Sequence, residues 1–169
     1  MPDLPPLPAL LVDRMLGRLA RWLRLLGADA EAWSGADEDE LVTSLRGSGR
    51  TLVSRHRRRS ARLAQLDLPV LALTANDLGG QLREVAARHA LPPVSARFTR
   101  CGWCNTPLRT APRSEAAPWV PPYVARTQDR FVRCPRCGRV YWHATQPARF
   151  ARDLRRLLGG TDHPSPSPH

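Results

Sequence analysis

Four cysteines form two pairs with the same internal spacing. They are Cys101 and Cys104, then Cys134 and Cys137, and 29 residues separate the inner two. A C-x-x-C turn directs two thiolates at one point, so two such turns can complete a tetrahedron around a metal ion. This spacing predicts a structural zinc site with four sulfur ligands. The alternatives are an iron–sulfur cluster on the same ligands, a redox C-x-x-C, or four unrelated reduced thiols.

Acidic residues stand where strands are predicted to end and helices to begin. Asp13 closes the first predicted strand, and Asp77 opens the helix that follows the strand VLAL. A further acidic block opens a helix and includes Asp37, Asp39 and Glu40. Carboxylates at such ends can converge on Mg²⁺ or Mn²⁺, which prefer oxygen ligands and activate water for attack on a phosphodiester. Each acid alone can equally be a helix cap, but a charge that closes a buried strand is costly unless it is used.

The elements that position these residues alternate between apolar runs and amphipathic segments up to about Pro92-Pro93. The predicted strands cover 9–12, 28–33, 50–53 and 70–73. The predicted helices cover 14–26, 37–45, 60–66 and 76–89. This alternation predicts an α/β fold, a mostly parallel sheet flanked by helices. In such sheets functional groups gather at the carboxyl ends of the strands.

The first predicted helix has two distinct faces, and Gly27 stands where a helix C-cap glycine belongs. The apolar face consists of four leucines, Leu16, Leu19, Leu23 and Leu26. The opposite face consists of four arginines, Arg14, Arg18, Arg21 and Arg24. The apolar face predicts packing on the sheet. The arginine face is either simply solvated or binds a polyanion that passes Asp13.

The segment after about residue 97 differs from the first part, since it contains the cysteines, turns and prolines. Short strands over 131–133 and 140–142 flank the second cysteine pair, and no substantial apolar core is available to this part alone. Its aromatic residues either form a small core or stack on unpaired bases. The predicted organisation is a leader over 1–8, an α/β domain over 9–93, a zinc ribbon over 97–146, a basic helix over 147–160 and a tail over 161–169.

The formal net charge is +11, and all 26 basic residues are arginine. This excess excludes an acidic or neutral surface and indicates a polyanionic partner, most simply nucleic acid. Arginine in place of lysine is also typical of a GC-rich genome, which does not account for the excess itself. No apolar run is long enough to span a membrane, and the first residues do not form a secretory signal. We therefore expect a cytoplasmic protein without a membrane segment.

The motifs together resemble the Mut-seven C-terminal RNase domain, a PIN-like nuclease family. The match begins with LVDRMLGRLARWLRLLG over 11–27. It continues in the family's order with ADEDEL over 36–41, RTLVSR over 50–55, LTANDLGGQLREV over 73–85 and RCPRCGRVYW over 133–142. The resemblance covers about residues 10–142. It implies a PIN-like α/β fold with a C-terminal zinc ribbon and metal-dependent cleavage of RNA phosphodiester bonds.

The resemblance also implies roles for particular residues. Asp13 matches the family's first acidic position, Asp37, Asp39 and Glu40 lie in its second acidic block, and Asp77 lies in its late block. Arginines next to these positions are the predicted RNA-binding residues. They are Arg14, Arg18 and Arg21 after Asp13, and Arg55, Arg57 and Arg58 around the third strand's end.

One position departs from the family pattern. Where the family typically has T-R-D, this chain has Ser54-Arg55-His56. Imidazole is a poor ligand for a hard cation such as Mg²⁺, although His56 can bind Mn²⁺, act as an acid or base, or mark a site that has lost catalysis. The leading hypothesis is a metal-dependent ribonuclease. The alternatives are a catalytically inactive RNA-binding relative and a protein whose ribbon is a protein-interaction surface.

Overall fold

The computed structural model describes residues 9–35, 37–89, 98–142 and 146–157, with only the backbone for 146–150. An α/β unit comes first. Its strands are β1 (Ala9–Asp13), β2 (Asp29–Trp33), β3 (Thr51–Ser54) and β4 (Val70–Ala72). Its helices are α1 (Gly17–Leu25), α2 (Glu38–Ser48), α3 (Arg57–Gln65) and α4 (Leu78–Arg88). The strands form one parallel sheet in the order β2-β1-β3-β4, which confirms the predicted fold class.

The central strand β1 is buried on both faces of the sheet. Successive side chains of a strand point to opposite faces, so Leu10 and Val12 join one apolar cluster with α1 and α4. Leu11 joins a second cluster with α2 and α3. All three are at most 2% exposed, as expected for a central parallel strand. Asp13 ends this strand and therefore lies at the edge of both cores.

Helix α1 confirms one predicted face and corrects the other. The four inner leucines are buried, and Gly27 follows the helix with a φ of 98°, a left-handed conformation that favours glycine. The prediction of an outward face is wrong for Arg24, because the C-terminal part of the chain covers it. Arg24 is 8% exposed and donates to the carbonyl oxygens of Ala30 and Trp103, both at 2.6 Å. The outward face therefore consists of Arg14, Arg18 and Arg21.

A smaller unit contains the cysteines. Its antiparallel sheet has the strands β5 (Arg109–Ala111), β6 (Phe131–Arg133) and β7 (Val140–Trp142), in that order. The short helices α5 (Arg113–Ala116) and α6 (Pro122–Thr127) lie between β5 and β6. Strands β6 and β7 match the predicted ones, whereas β5, α5 and α6 were not predicted. They build a small core, made of Ala111, Ala116, Val120, Val124 and Phe131.

The C-terminal helix α7 (Gln146–Leu157) packs against α4 of the first unit. Leu154 belongs to the larger core cluster, and Arg83 donates to the Leu157 carbonyl oxygen at 2.7 Å. Gly79 permits this approach, because a Cβ there would lie 2.2 Å from the same oxygen. The predicted leader, tail and Pro92-Pro93 boundary lie outside the described residues. Within the described part, no helix has the length and apolar character needed to cross a membrane.

Asp29, at the start of β2, joins the two units. Its carboxylate accepts hydrogen bonds from both terminal nitrogens of Arg50 at 3.0 Å and from Asn105 Nδ2 at 2.6 Å, and Arg100 Nη2 lies 3.4 Å away. Partial burial raises the pKa of Asp29, but the hydrogen bonds from Arg50 and Asn105 outweigh it and hold this pKa below its ordinary value. The ionised carboxylate therefore fixes the first cysteine turn on the sheet.

We expect Asp29→Asn to lower the free energy of unfolding at pH 7 by about 2 kcal/mol, since hydrogen bonds to a charged group are lost. The folded pKa lies below the unfolded value of about 3.9. The stabilisation is thus present above that pH and is lost as the pH falls through the folded pKa. Urea melts from pH 7 to pH 2 should show the difference between variant and wild type disappearing at the acid end. A difference that stays constant with pH would contradict this role.

Candidate active site and metal centre

A pocket of about 310 Å³ opens at the carboxyl ends of β1 and β2. Strand β1 has β2 on one side and β3 on the other. From β1 the chain thus continues to one side of the sheet in β2 and then crosses to the other side in β3. Ligands bind at this kind of switch point in open α/β sheets. The pocket is lined by Asp13, Arg14, Met15, Trp33, Ser34, Gly35, His56 and Arg59.

Asp13 is the buried acid of this pocket, at 6% exposure. Its Oδ2 accepts a hydrogen bond from Ser54 Oγ at 3.0 Å and another from Arg59 Nη1 at 3.2 Å. Ser54 ends the neighbouring strand β3, so the parallel register brings the two side chains together. The buried carboxylate is thus paired with an arginine and hydrogen-bonded, as buried carboxylates in proteins usually are.

Arg59 connects Asp13 to a second carboxylate, Glu38. Arg59 Nε lies 3.7 Å from Glu38 Oε1 and is buried without a hydrogen-bond partner in the described part of the chain. Arg62 also pairs with Glu38. Neither Glu38 nor Arg59 is among the site residues predicted from the sequence. The available signal was that both lie in the first turns of helices that begin at the carboxyl edge of the sheet.

The other acids singled out from the sequence lie at helix starts. Asp37 caps α2 and accepts from the backbone N–H of Asp39 at 2.7 Å and of Glu40 at 3.1 Å. Asp39 and Glu40 are exposed. Asp77 caps α4, where hydrogen bonds from the backbone lower its pKa. Among the described residues, these four acids do not join Asp13 in a group of three or more side chains placed to hold a metal ion.

His56 lies in the pocket and caps α3. Its imidazole Nδ1 accepts a hydrogen bond from the Arg59 backbone N–H at 3.1 Å. The backbone N–H of His56 donates to Ser54 Oγ at 3.0 Å. The adjacent Arg55 pairs with Asn76. The remaining predicted RNA-binding residues here, Arg57 and Arg58, are exposed on the first turn of α3. This edge of the sheet therefore presents positive charge around a buried carboxylate.

The four cysteine sulfurs converge on one point. Cys101 and Cys137 have their Sγ atoms 3.6 Å apart, Cys104 and Cys134 theirs 3.4 Å apart, and all four lie within 4.8 Å of one another. A tetrahedron with metal–sulfur bonds of about 2.3 Å has edges of about 3.8 Å. The four side chains are thus positioned to hold a metal ion. Within the described ranges, no other group of three or more Cys, His, Asp or Glu side chains is so placed.

The surroundings shift the pKa values of the cysteines in different directions. Burial raises the pKa of Cys104, but hydrogen bonds with Thr106 outweigh it and lower this pKa below that of a free thiol. Burial and hydrogen bonding with Cys104 raise the pKa of the neighbouring Cys134. Two thiolates so close would also repel each other without a cation. The hydroxyl of Tyr141 lies 3.3 Å from Cys101 Sγ. A bound metal ion would remove the repulsion, as it does at thiolate sites in general.

These features define an α/β protein with a buried carboxylate in a pocket at the switch point of its sheet and an appended unit whose four cysteines are positioned to hold a metal ion. The family model for the Mut7-C RNAse domain matches residues 8–154. This is most of the chain, so the protein belongs to that family, which confirms the resemblance found in the sequence. No curated protein and no solved structure matches the chain significantly. Membership in this family suggests a nuclease, whose substrate is a nucleic acid.

Proposed function

We propose that this protein is a ribonuclease that hydrolyses RNA phosphodiester bonds in the Asp13 pocket. The observation that supports this most is the buried Asp13 carboxylate at the switch point of the sheet, in a pocket that Arg14 and Arg59 also line. A phosphate can reach this pocket between the two arginines, and guanidinium groups are well suited to phosphate oxygens. The family adds RNA as the substrate class.

The donors around Arg59 are of the type that Mg²⁺ and Mn²⁺ prefer. Asp13 and Glu38 offer carboxylate oxygens, and the guanidinium between them is itself a cation. We assign the second carboxylate to Glu38, because it reaches Arg59. A divalent cation bound there would activate water and neutralise the charge that develops on phosphorus oxygens. Ser54 would keep Asp13 oriented, and Arg59, once displaced, would donate to the phosphate.

Arg59 and a divalent cation then compete for the same two carboxylates. We expect Arg59→Gln to tighten Mn²⁺ binding about ten-fold, because the competing positive charge is lost. Titration calorimetry on protein with its cysteine metal already bound measures the affinity. Arg58→Gln is the matched control, since Arg58 is exposed on the same turn of α3 and forms no ion pair with Asp13 or Glu38 in the described part of the chain. Unchanged or weaker Mn²⁺ binding in Arg59→Gln would place the cation elsewhere.

We further propose that the metal held by the cysteines is zinc in a structural role. Four sulfur ligands leave no open position for substrate or water. The hydrogen bond that Tyr141 can donate to the Cys101 thiolate is typical of the contacts that orient metal ligands. An iron–sulfur cluster remains the alternative on the same four ligands, and metal analysis distinguishes the two.

A direct assay tests the proposed activity. Zinc-loaded protein is incubated with end-labelled single-stranded RNA in Mn²⁺, in Mg²⁺ or without added divalent cation. We expect cleavage only when a divalent cation is present. Absence of cleavage with both cations would overturn the ribonuclease proposal, and equal cleavage without a cation would overturn its metal dependence.

The second candidate is an RNA-binding relative that does not cleave. Two observations favour it: His56 stands at the position of the family's aspartate and serves as a helix cap, and Arg59 already joins Asp13 to Glu38. If this candidate is correct, the protein binds RNA with an affinity that falls steeply as the salt concentration rises. It would show no turnover with any cation.

The variant His56→Asp separates the two candidates. Aspartate is also a favourable helix cap, so we expect the fold to be kept. If the wild-type site is active, as we propose, the cleavage rate of His56→Asp should stay within about three-fold of wild type. Cleavage by the variant together with an inert wild type would instead identify a lost catalytic site. The labelled-RNA assay above measures both proteins.

A further inference from the structure

Trp103, in the first cysteine turn, is a large aromatic residue that the fold leaves outside its cores. Its side chain is 62% exposed, whereas Phe131 of the same unit is buried. The guanidinium carbon of Arg139 lies 4.4 Å from the centre of the Trp103 ring. We call these two residues the stacking platform. An exposed indole with an arginine over it offers a flat, cationic surface of the kind that unpaired bases stack on.

The stacking platform is held in place from both sides. Arg24 of α1 is buried and donates to the Trp103 carbonyl oxygen at 2.6 Å. A hydrogen bond with Cys137 ties the Arg139 side chain to the cysteine cluster. The Trp103 backbone and the arginine over its ring are thus held before any ligand arrives, which reduces the entropy lost on binding.

A row of exposed arginines joins the stacking platform to the Asp13 pocket. Gly102, next to Trp103, packs on the last turns of α1, where a Cβ would lie 3.4 Å from Arg21 Cγ. Arg21 and Arg18 are exposed on α1, and Arg14 lines the pocket at the other end. Arg18 and Arg21, three residues apart, lie on one face of α1, and Arg14 precedes that helix in a single 3-10 turn, Arg14–Leu16. We call Arg14, Arg18 and Arg21 the arginine track.

We propose that single-stranded RNA lies along the arginine track, with its reacting phosphate at Asp13 and a base stacked on Trp103. This rests on the proposed function. The nine residues of α1 span about 13 Å, which corresponds to about four stacked nucleotides at about 3.4 Å each. Arginines bind phosphates whatever the sequence, and a stacked base must be unpaired. The track therefore selects single strands of sufficient length, and not a base sequence.

The experiment measures RNA binding without cleavage. Asp13→Asn protein, zinc-loaded and without added divalent cation, is titrated by fluorescence anisotropy with a labelled octanucleotide and a labelled dinucleotide. We expect Trp103→Ala in this background to weaken octanucleotide binding about ten-fold and to leave dinucleotide binding unchanged, because a dinucleotide cannot span the track. Trp103→Phe should keep most of the affinity.

Trp119→Ala is the matched control. Trp119 is 65% exposed and also lies near an arginine, Arg133 at 5.4 Å, but it belongs to the insert between the cysteine pairs. We expect its removal to leave octanucleotide binding unchanged. Equal losses in Trp119→Ala and Trp103→Ala, no loss in Trp103→Ala, or an equal loss for the dinucleotide would each overturn the inference.

A second measurement keeps the Trp103 side chain intact. An abasic nucleotide placed about four positions from the phosphate bound at Asp13 should weaken binding as much as Trp103→Ala does. The abasic RNA should bind Trp103→Ala protein no more weakly than either change alone makes the RNA bind. If the two losses of affinity add, the inference is overturned. The wild-type cleavage assay runs in parallel. If the wild type cleaves RNA and Trp103 does not matter, only this inference fails, whereas a wild type that neither binds nor cleaves RNA overturns both proposals.

Discussion

Asp13→Asn should lower the kcat/KM of RNA cleavage by about 10³-fold. The substitution removes the negative charge that would hold a divalent cation and help activate water, and losses of this size accompany the removal of one electrostatic contact in an active site. Asparagine is similar in shape, and its carbonyl oxygen can still accept the hydrogen bond from Ser54 Oγ. The effect should therefore fall on the reaction rather than on folding.

Initial rates on labelled single-stranded RNA in Mn²⁺, with thermal melts of each protein, measure the effect of Asp13→Asn. Asp67→Asn is the matched control, because Asp67 is exposed after α3 and has a φ of 54°, a conformation that asparagine also tolerates. The control should cleave like wild type. If Asp13→Asn cleaves as fast as the control, the reaction does not take place in this pocket.

Asp13 could be predicted from the sequence, whereas its partners could not. A charged residue that ends an apolar run has few explanations besides a site at the sheet edge, and the parallel register places it there. Glu38 and Arg59 come from two different helices. Their meeting depends on how α2 and α3 pack on the sheet, and no local pattern encodes that. The acidic block predicts carboxylates near the site, but it does not determine which of them reaches Arg59.

The same distinction applies to the fold. Strands β1, β3 and β4 follow from short apolar runs, and the inner leucines of α1 follow from helical spacing. Between the cysteine pairs, the small core is built from alanines, valines and one phenylalanine dispersed among prolines and arginines. The hydrophobic residues of this segment follow neither a strand nor a helix periodicity, so the sequence does not predict β5, α5 or α6. Arg24 was predicted to be exposed because nothing in its own helix indicates that Trp103 will cover that end.

Removal of the metal from the cysteine cluster should unfold the smaller unit and abolish the stacking platform. Structural zinc contributes about 10 kcal/mol or more of binding free energy in zinc-finger peptides. The apolar core of this unit consists of five buried residues, two of them alanine, which is too little to replace that contribution. Without a cation, the thiolates of Cys104 and Cys134, whose Sγ atoms lie 3.4 Å apart, would also repel each other.

Metal content, circular dichroism and RNA affinity are measured before and after treatment with a strong zinc chelator, and again after zinc is restored. Before treatment we expect about one zinc per chain. After treatment we expect the melting transition to disappear and the RNA affinity to fall at least as much as in Trp103→Ala. Both should return when zinc is restored. Cys137→Ser should reproduce the loss without a chelator. Iron together with acid-labile sulfide in place of zinc would identify an iron–sulfur cluster, and a metal-free protein with unchanged melting would contradict a structural metal. Because the first cysteine turn also contacts Asp29 and Arg24, a modest fall in the stability of the α/β unit should accompany the loss.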